Sequence, residues 1–455
     1  MKVKVAMSQK VRELYEQYPY PLRDPQQEKD RLLMPPMDSL SRINHYGFAG
    51  RKVIDNNFRA LVAGGGTGDA MIWLAEQLRD AGGTVTYLEP SLASTKVARA
   101  RAEARGLENV TYVNATISDF AASKPDGFDY INCAGVLHHL EDPEEGLRDL
   151  TMVLKPDGVM GVMVYGEHGR LAVTEWRKMV APLLPEKDLG AQLSMTRALL
   201  ADLPEDNMLL KMGGGPGFIK GLLENDPEIV DLLLHPVECA YDVHGVYDFA
   251  ASAGLKVAAF TGFFGFGGTG KAHYAIENLV RDQRTLRELA TKPLRDQQAF
   301  CERFSGAMPL HAFYLTKAKA EDADDAQGAG GVLPDADLAP YFFVRPNETF
   351  FDDLIALSGQ PVLIEDGSGN AIDLTGGPDL AKLLSVFDGT RTVEQLIAVL
   401  RDEILDRQPI DMNQIAANTL GAVWALFNKF DWMLAALPNG WQQADQQRTL
   451  SVRKL

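Results

Sequence analysis

Residues 59–68 read Arg-Ala-Leu-Val-Ala-Gly-Gly-Gly-Thr-Gly, and the next apolar run closes on Glu89. A short apolar run that feeds a glycine turn and then a helix commits this stretch to a strand–turn–helix unit of an α/β protein. Glycine at 64, 66 and 68 lets the backbone approach a ligand closely, and a helix starting near Asp69 presents free N–H groups at its first turn. A carboxylate at the end of the following strand stands where a nucleotide ribose would lie, and it can accept hydrogen bonds from two vicinal hydroxyls.

The alternation continues well past this unit. Apolar runs predict strands at 59–63, 84–89, 110–115, 128–134 and 159–165, with helices at 69–81, 91–106 and 143–154 between them. Strands of this kind separated by helices imply a parallel sheet covered on both faces. Lys155-Pro-Asp-Gly158 reads as a helix stop and turn before the fifth strand. Residues 166–243 interrupt the pattern with helical segments and a Met212-Gly-Gly-Gly-Pro-Gly217 loop. It resumes with a helix at 245–253, a strand at 255–263 and a last strand at 311–317, after a second helical insertion within 264–310.

The net charge of −17 argues against non-specific nucleic-acid binding, which needs a basic footprint. Cys133, Cys239 and Cys301 lack metal-ligand spacing and suit a reducing compartment. No signal peptide and no run long enough for a membrane span is visible, so the expectation is a cytoplasmic protein without metal.

The glycine spacing, Gly64-x-Gly66-x-Gly68, differs from the G-x-G-x-x-G of dinucleotide binders, which disfavours a nicotinamide oxidoreductase. Tyr87-Leu-Glu89-Pro-Ser closes strand two, and Val113-Asn-Ala-Thr-Ile-Ser-Asp119 closes strand three. Phe128-Asp-Tyr-Ile-Asn-Cys-Ala-Gly-Val-Leu-His-His-Leu140 forms strand four and its loop, and Leu154-Lys-Pro-Asp-Gly158 leads into strand five. In this order and spacing the chain resembles the class I S-adenosylmethionine-dependent methyltransferases over residues of about 40–318.

The resemblance implies a Rossmann-like sheet, mostly parallel with an antiparallel last strand. It implies that the loop of Gly64, Gly66 and Gly68 holds the methionine part of S-adenosylmethionine and that Glu89 takes the ribose hydroxyls. Thr116 and Ile117 would then lie beside the adenine, and Gly135 beside the methionine amino group. The acid that many members carry two residues before the first glycine is Val62 here, so carbonyls or another side chain, with Asp69 a candidate, must hold the cofactor's ammonium.

Methyl transfer from a sulfonium needs alignment above all, and a base if the acceptor must lose a proton. His138 and His139, after strand four, and Tyr165, after strand five, are the catalytic candidates, although the resemblance also allows the histidine pair a structural role. Glu167, His168 and Arg170 lie at the expected cleft edge, with Arg170 suited to an acidic acceptor. His235 and Tyr241 follow the first insertion and are candidates for the acceptor pocket. Tyr18, Tyr20 and Arg42–Phe48 fit either a lid over the cofactor or packing beneath the sheet, the latter favoured.

The expected layout is an N-terminal segment (1–58), the methyltransferase domain (59–318), an acidic linker (319–339), a small α+β module (340–440) and a frayed tail (441–455). The module would pair strands from Phe350 onwards around a turn at Asp366-Gly-Ser-Gly, followed by helices near 378–387, 392–406 and 411–428, with a capping box at Thr392 and Gln395. It resembles peptide-recognising winged-helix domains, which implies a protein or peptide acceptor. A stabilising or homodimer-forming appendage stays open, as do a small-molecule acceptor and a non-catalytic cofactor-binding protein.

Overall fold

The computed structural model describes residues 9–318 apart from 185–187, 213–214, 263–270 and 307. Beyond these it describes 342–343, 361–366, 371–375, 391–399, 435–436 and 450–454. At its centre is a seven-stranded sheet, formed by β1 (Arg59–Ala63), β2 (Thr84–Leu88), β3 (Val110–Val113), β4 (Phe128–Ala134), β5 (Leu154–Tyr165), β6 (Leu255–Thr261) and β7 (Leu310–Lys317). The order is β3-β2-β1-β4-β5-β7-β6. The first five strands run parallel, and β7 inserts antiparallel between β5 and β6.

Both faces of the sheet are covered, which is why its strands read as unbroken apolar runs. Helices α2 (Leu40–Phe48), α3 (Asp69–Leu78) and α4 (Leu92–Ala104) bury one face, through Ile43, Tyr46, Ile72, Leu74 and Ala98. On the other lie α5 (Ile117–Ala122), α6 (Pro143–Val153) and α12 (Val243–Ser252), with the helix Leu294–Ser305 from the second insertion. The segment Arg42–Tyr46 is buried in this packing rather than laid over a ligand.

The first insertion supplies α7 (Leu171–Val180), α8 (Leu189–Ala201), α9 (Met208–Met212), α10 (Pro216–Leu223) and α11 (Asp226–Leu233). These helices have a core of their own, around Trp176, Leu200, Ile229, Val230 and Leu233. The N-terminal helix α1 (Gln9–Gln17) adds Leu14 to it. Insertion and N-terminus therefore form one apolar unit.

The structure corrects one turn. Lys155–Gly158 lies within β5, because Leu154 pairs with Phe128 and Val159 with Tyr130, so the intervening residues arch out as a bulge. Lys155 Nζ lies 2.6 Å from a carboxylate oxygen of buried Asp129, which also pairs with Lys52.

In the C-terminal region Pro361–Asp366 pairs antiparallel with Ala371–Thr375 around residues 367–370, and Leu450–Lys454, expected within a frayed tail, adds a third strand. Gln395 N–H donates to Thr392 Oγ1 at 3.2 Å and Thr392 N–H to Gln395 Oε1 at 2.8 Å, a reciprocal capping box on the helix Val393–Val399. The helices expected near 378–387 and 411–428, the whole of the linker and the region from Phe350 to Gln360 lie outside the described residues. Among the described residues no helix is long and apolar enough to cross a membrane.

Candidate functional site

The carboxyl ends of β1, β4 and β5 open into a cavity of about 380 Å³, within the range of a ligand site and at the usual position for an open α/β sheet. Its floor is the loop after β1. Gly64 and Gly66 adopt φ of 70° and 50°, and a Cβ at either would meet Val136 Cγ2 at 2.5 Å or the Tyr20 carbonyl oxygen at 2.6 Å. Only glycine fits such a loop. Gly68 does not line the cavity; it caps α3 with φ 103° and lets that helix approach Ala98.

Glu89 lies at the loop's edge and is buried. Its Oε2 accepts from Gly66 N–H and its Oε1 from Ser91 N–H, both at 2.9 Å. Burial pushes its carboxyl up to about 7 against these bonds. Each oxygen keeps a lone pair, so the group can accept two more donors. Beyond Gly64 and Pro90 a second, smaller hollow is lined by Thr116, Ile117, Val136 and Leu140. Thr116 itself caps α5 through Asp119 N–H. Gly135 lines the main cavity with φ 76°.

The N-terminal segment closes this floor from above. Thr67 N–H donates to the Tyr20 carbonyl at 3.2 Å, and Thr67 Oγ1 donates to the Pro21 carbonyl at 2.7 Å. Tyr15, Tyr20 and Arg23 line the cavity. Ion pairs hold the segment down: Arg23 on Asp69 at 2.6 Å, and Arg101, itself buried, on Glu28 at 2.6 Å and on Asp69 at 2.7 Å. Burial works against it, yet the hydrogen bonds and charges of Arg23 and Arg101 hold the Asp69 carboxyl below its ordinary range. Asp69 therefore lies in the cavity wall with its charge already matched by two guanidinium groups.

Sequence reasoning missed an acid on the opposite wall. Asp38, delivered by a 3₁₀ turn ahead of α2, lines the cavity with Val62 and Asn132. Its Oδ1 accepts from Tyr130 Oη at 2.9 Å and from Asn132 Nδ2 at 2.7 Å. Burial pushes its carboxyl up to about 7, against those two bonds. The available signal was Asn132, a polar residue in the otherwise apolar strand Tyr130–Ala134.

At the far end the catalytic and substrate candidates separate. His138 is wholly buried outside the cavity wall, its ring 3.9 Å from that of Tyr165 and 4.2 Å from that of His139. Burial drives its pKa well below the ordinary histidine value. His139 does line the cavity. Its Nδ1 bonds the Val237 carbonyl at 2.8 Å, and burial lowers its pKa to about 3. That bond makes Nδ1 the protonated nitrogen and leaves a lone pair on Nε2. His235 backs onto His139 at 3.7 Å without reaching the cavity.

Tyr165 and Arg170 also line the cavity, whereas Glu167, His168 and Tyr241 do not. Tyr241 packs on Phe249, and Glu167 is exposed. Arg170 lies against the Tyr165 ring and binds Glu238 through Nε and Nη2, each at 2.9 Å. Arg177 binds the same carboxylate, so Glu238 is shared by two guanidinium groups. The remaining wall comes from α11: Tyr15 Oη donates to Asp231 Oδ1 at 2.8 Å, Tyr165 Oη to Asp231 Oδ2 at 3.3 Å, and Tyr20 Oη to Glu228 Oε1 at 3.4 Å.

Comparison with known proteins agrees with this geometry. Residues 61–160 match the family model of a methyltransferase domain. An uncharacterized protein of Synechococcus is 31% identical over 265 residues, covering 56% of this chain and 60% of the relative. The ubiquinone biosynthesis O-methyltransferase of Salmonella paratyphi A is 32% identical over 124 residues, covering 27% of this chain and 46% of the relative. The chain thus spans less than two thirds of either relative's length. The structure of PKMT2 from Rickettsia typhi in complex with AdoHcy superimposes with a TM-score of 0.58 at 15% identity, covering 89% of this chain and 75% of that one. The glycine cradle that a Cβ would fill, and the buried carboxylate beside it, fit the nucleoside cofactor of such domains. With sheet order, family match and cradle in agreement, the chain carries a class I S-adenosylmethionine-dependent methyltransferase domain.

Proposed function

We propose that this chain transfers a methyl group from S-adenosylmethionine to an O or N nucleophile of a protein or peptide. The observation that carries the reading is one cavity with two unlike ends: the glycine loop with Glu89, and a wall of tyrosines and carboxylates from α1, β5 and α11. In this reading Glu89 takes the ribose hydroxyls, Thr116 and Ile117 flank the adenine, and the Gly64–Gly66 backbone cradles the methionine part. Gly135 and Asp38 face its ammonium, Asp38 standing in for the acid that Val62 replaces. S-adenosylmethionine supplies an already activated methyl group. The residues therefore act by position, which supplies on the order of 7–11 kcal/mol in well-aligned reactions. Tyr165, fixed by Asp231, and the neutral His139 ring border the place where the acceptor must lie.

A protein or peptide acceptor is supported by the antiparallel strands described beyond residue 340, which donor chemistry does not need and which belong to the kind of element that extended peptides pair with. The test is tritiated-methyl transfer from the donor into fractionated lysate, scored as protein, RNA, lipid or small molecule. Label in protein is expected. Label confined to small molecules would replace the acceptor assignment, and tight donor binding without transfer to any fraction would favour a regulatory cofactor-binding protein.

A further inference from the structure

The charges lining the cavity do not balance. Of its arginines among the described residues, Arg23 shares Asp69 with Arg101, and Arg170 shares Glu238 with Arg177. The other acids of the wall are Asp38, Glu89, Glu228 and Asp231. The first two stand at the donor end. Glu228 and Asp231 stand on one turn of α11, at the far end, with no arginine or lysine bonded to either in the described structure. Their hydrogen-bond partners are three tyrosine hydroxyls; the charges of Arg23 and Arg170 reach this pair without a direct bond, while those guanidinium groups bind Asp69 and Glu238. Asp231 is almost fully buried, and its proximity, after burial itself, helps push the Glu228 carboxyl up to about 7. Two neighbouring carboxylates withdrawn from water call for a cation.

We propose that this end of the cavity receives a protonated amine, so that the methyl acceptor is an aliphatic amine nitrogen, with Glu228 and Asp231 as its receptor. The inference rests on the methyl-donor reading and narrows its acceptor. A carboxylate or phosphate acceptor would face two like charges, and a neutral hydroxyl would leave the acids without a directly bonded cation. The chemistry balances. The ammonium gives one proton to the Glu228 carboxylate, and the nitrogen lone pair forms the new N–C bond. The C–S bond pair stays on sulfur, leaving a methylated ammonium that keeps the positive charge, the neutral thioether S-adenosylhomocysteine and a protonated Glu228. A carboxyl titrating near neutrality suits that proton transfer.

The experiment uses the full chain saturated with S-adenosylhomocysteine, whose affinity is measured first by calorimetry. Binding of n-butylammonium, n-butanol and butyrate is then followed by ligand-observed NMR. The amine is expected to bind at least tenfold more tightly than the other two. Glu228→Gln is expected to remove that preference while keeping S-adenosylhomocysteine affinity within about threefold, which reports that the variant is folded; Asp231→Asn is the second variant should Glu228→Gln fail that check. Equal or tighter binding of butanol or butyrate, no binding of the amine, or an amine preference that survives both substitutions overturns the inference and leaves the donor reading intact. Failure of S-adenosylhomocysteine itself to bind overturns both.

Discussion

Glu89 shows how much one buried side chain can carry. Its carboxyl is raised to about 7 by burial, and the ribose hydroxyls assigned to it favour the ionised form. Ligand binding should therefore lower its pKa, and affinity for S-adenosylhomocysteine should fall as pH drops below about 7, approaching tenfold per pH unit by proton linkage. Calorimetry between pH 5.5 and 8.5 should give that slope for the wild type and a flatter one for Glu89→Gln, with affinity lower by roughly ten- to hundredfold at pH 8, the loss of about 1.5–3 kcal/mol for a charge-assisted bond. Without ligand the same shift acts on stability with the opposite sign. A raised carboxyl contributes stability below its ordinary value of 4.5, and that contribution is lost as pH rises through about 7. Asp38 offers a second test. Asp38→Asn should weaken S-adenosylhomocysteine about tenfold yet leave methylthioadenosine, which lacks the amino-acid part, unchanged; equal losses for both ligands would make Asp38 a structural residue.

At the scale of elements, the N-terminal strap and α3–α4 are joined by charge as much as by apolar contact. Arg101 Nε and Nη2 both donate to Glu28 Oε1, at 2.8 and 2.6 Å, while Arg105 holds Oε2. Removing one partner of a buried pair costs about 3–5 kcal/mol. Arg101→Ala should sit near the lower end in urea denaturation, because Arg105 still reaches Glu28. The strands that build the donor end were legible for a local reason: β1, β2 and β4 are apolar runs bounded by turns, and their ends carry the glycines and Glu89. The reading failed at Lys155–Gly158, whose turn composition is spent on a bulge. It failed also where an element's partner is remote. Nothing around Asp38 announces that its carboxylate will meet Asn132, and Tyr15 and Asp231, in direct hydrogen bond, are 216 positions apart. The acceptor end is made of such distant pairs, so composition and spacing could name Tyr165 and Arg170 but not Glu228 or Asp231. Nor could they show that Glu238 already occupies Arg170.

For the whole molecule, the cavity belongs to three units at once: the sheet, the N-terminal segment and the first insertion. Ligand binding should therefore protect more than the glycine loop. Hydrogen exchange with and without S-adenosylhomocysteine should slow at residues 15–24 and 225–234 as well as at 62–70, and protection restricted to the last of these would mean that the strap and α11 move independently of the donor end.

The place of β7 bears on how the chain is made. Once β5 has left the ribosome it has one neighbour, β4; its other edge waits for residues 310–317, which lie beyond both insertions. At ~5–20 residues per second, translation of the intervening segment takes on the order of ten seconds. Throughout that interval a buried-type strand, rich in valine and methionine, presents unpaired backbone to solvent, a template for pairing between nascent chains. Nascent chains stopped ahead of residue 310 should depend on chaperones, and those stopped after 318 and clear of the ribosomal tunnel should not.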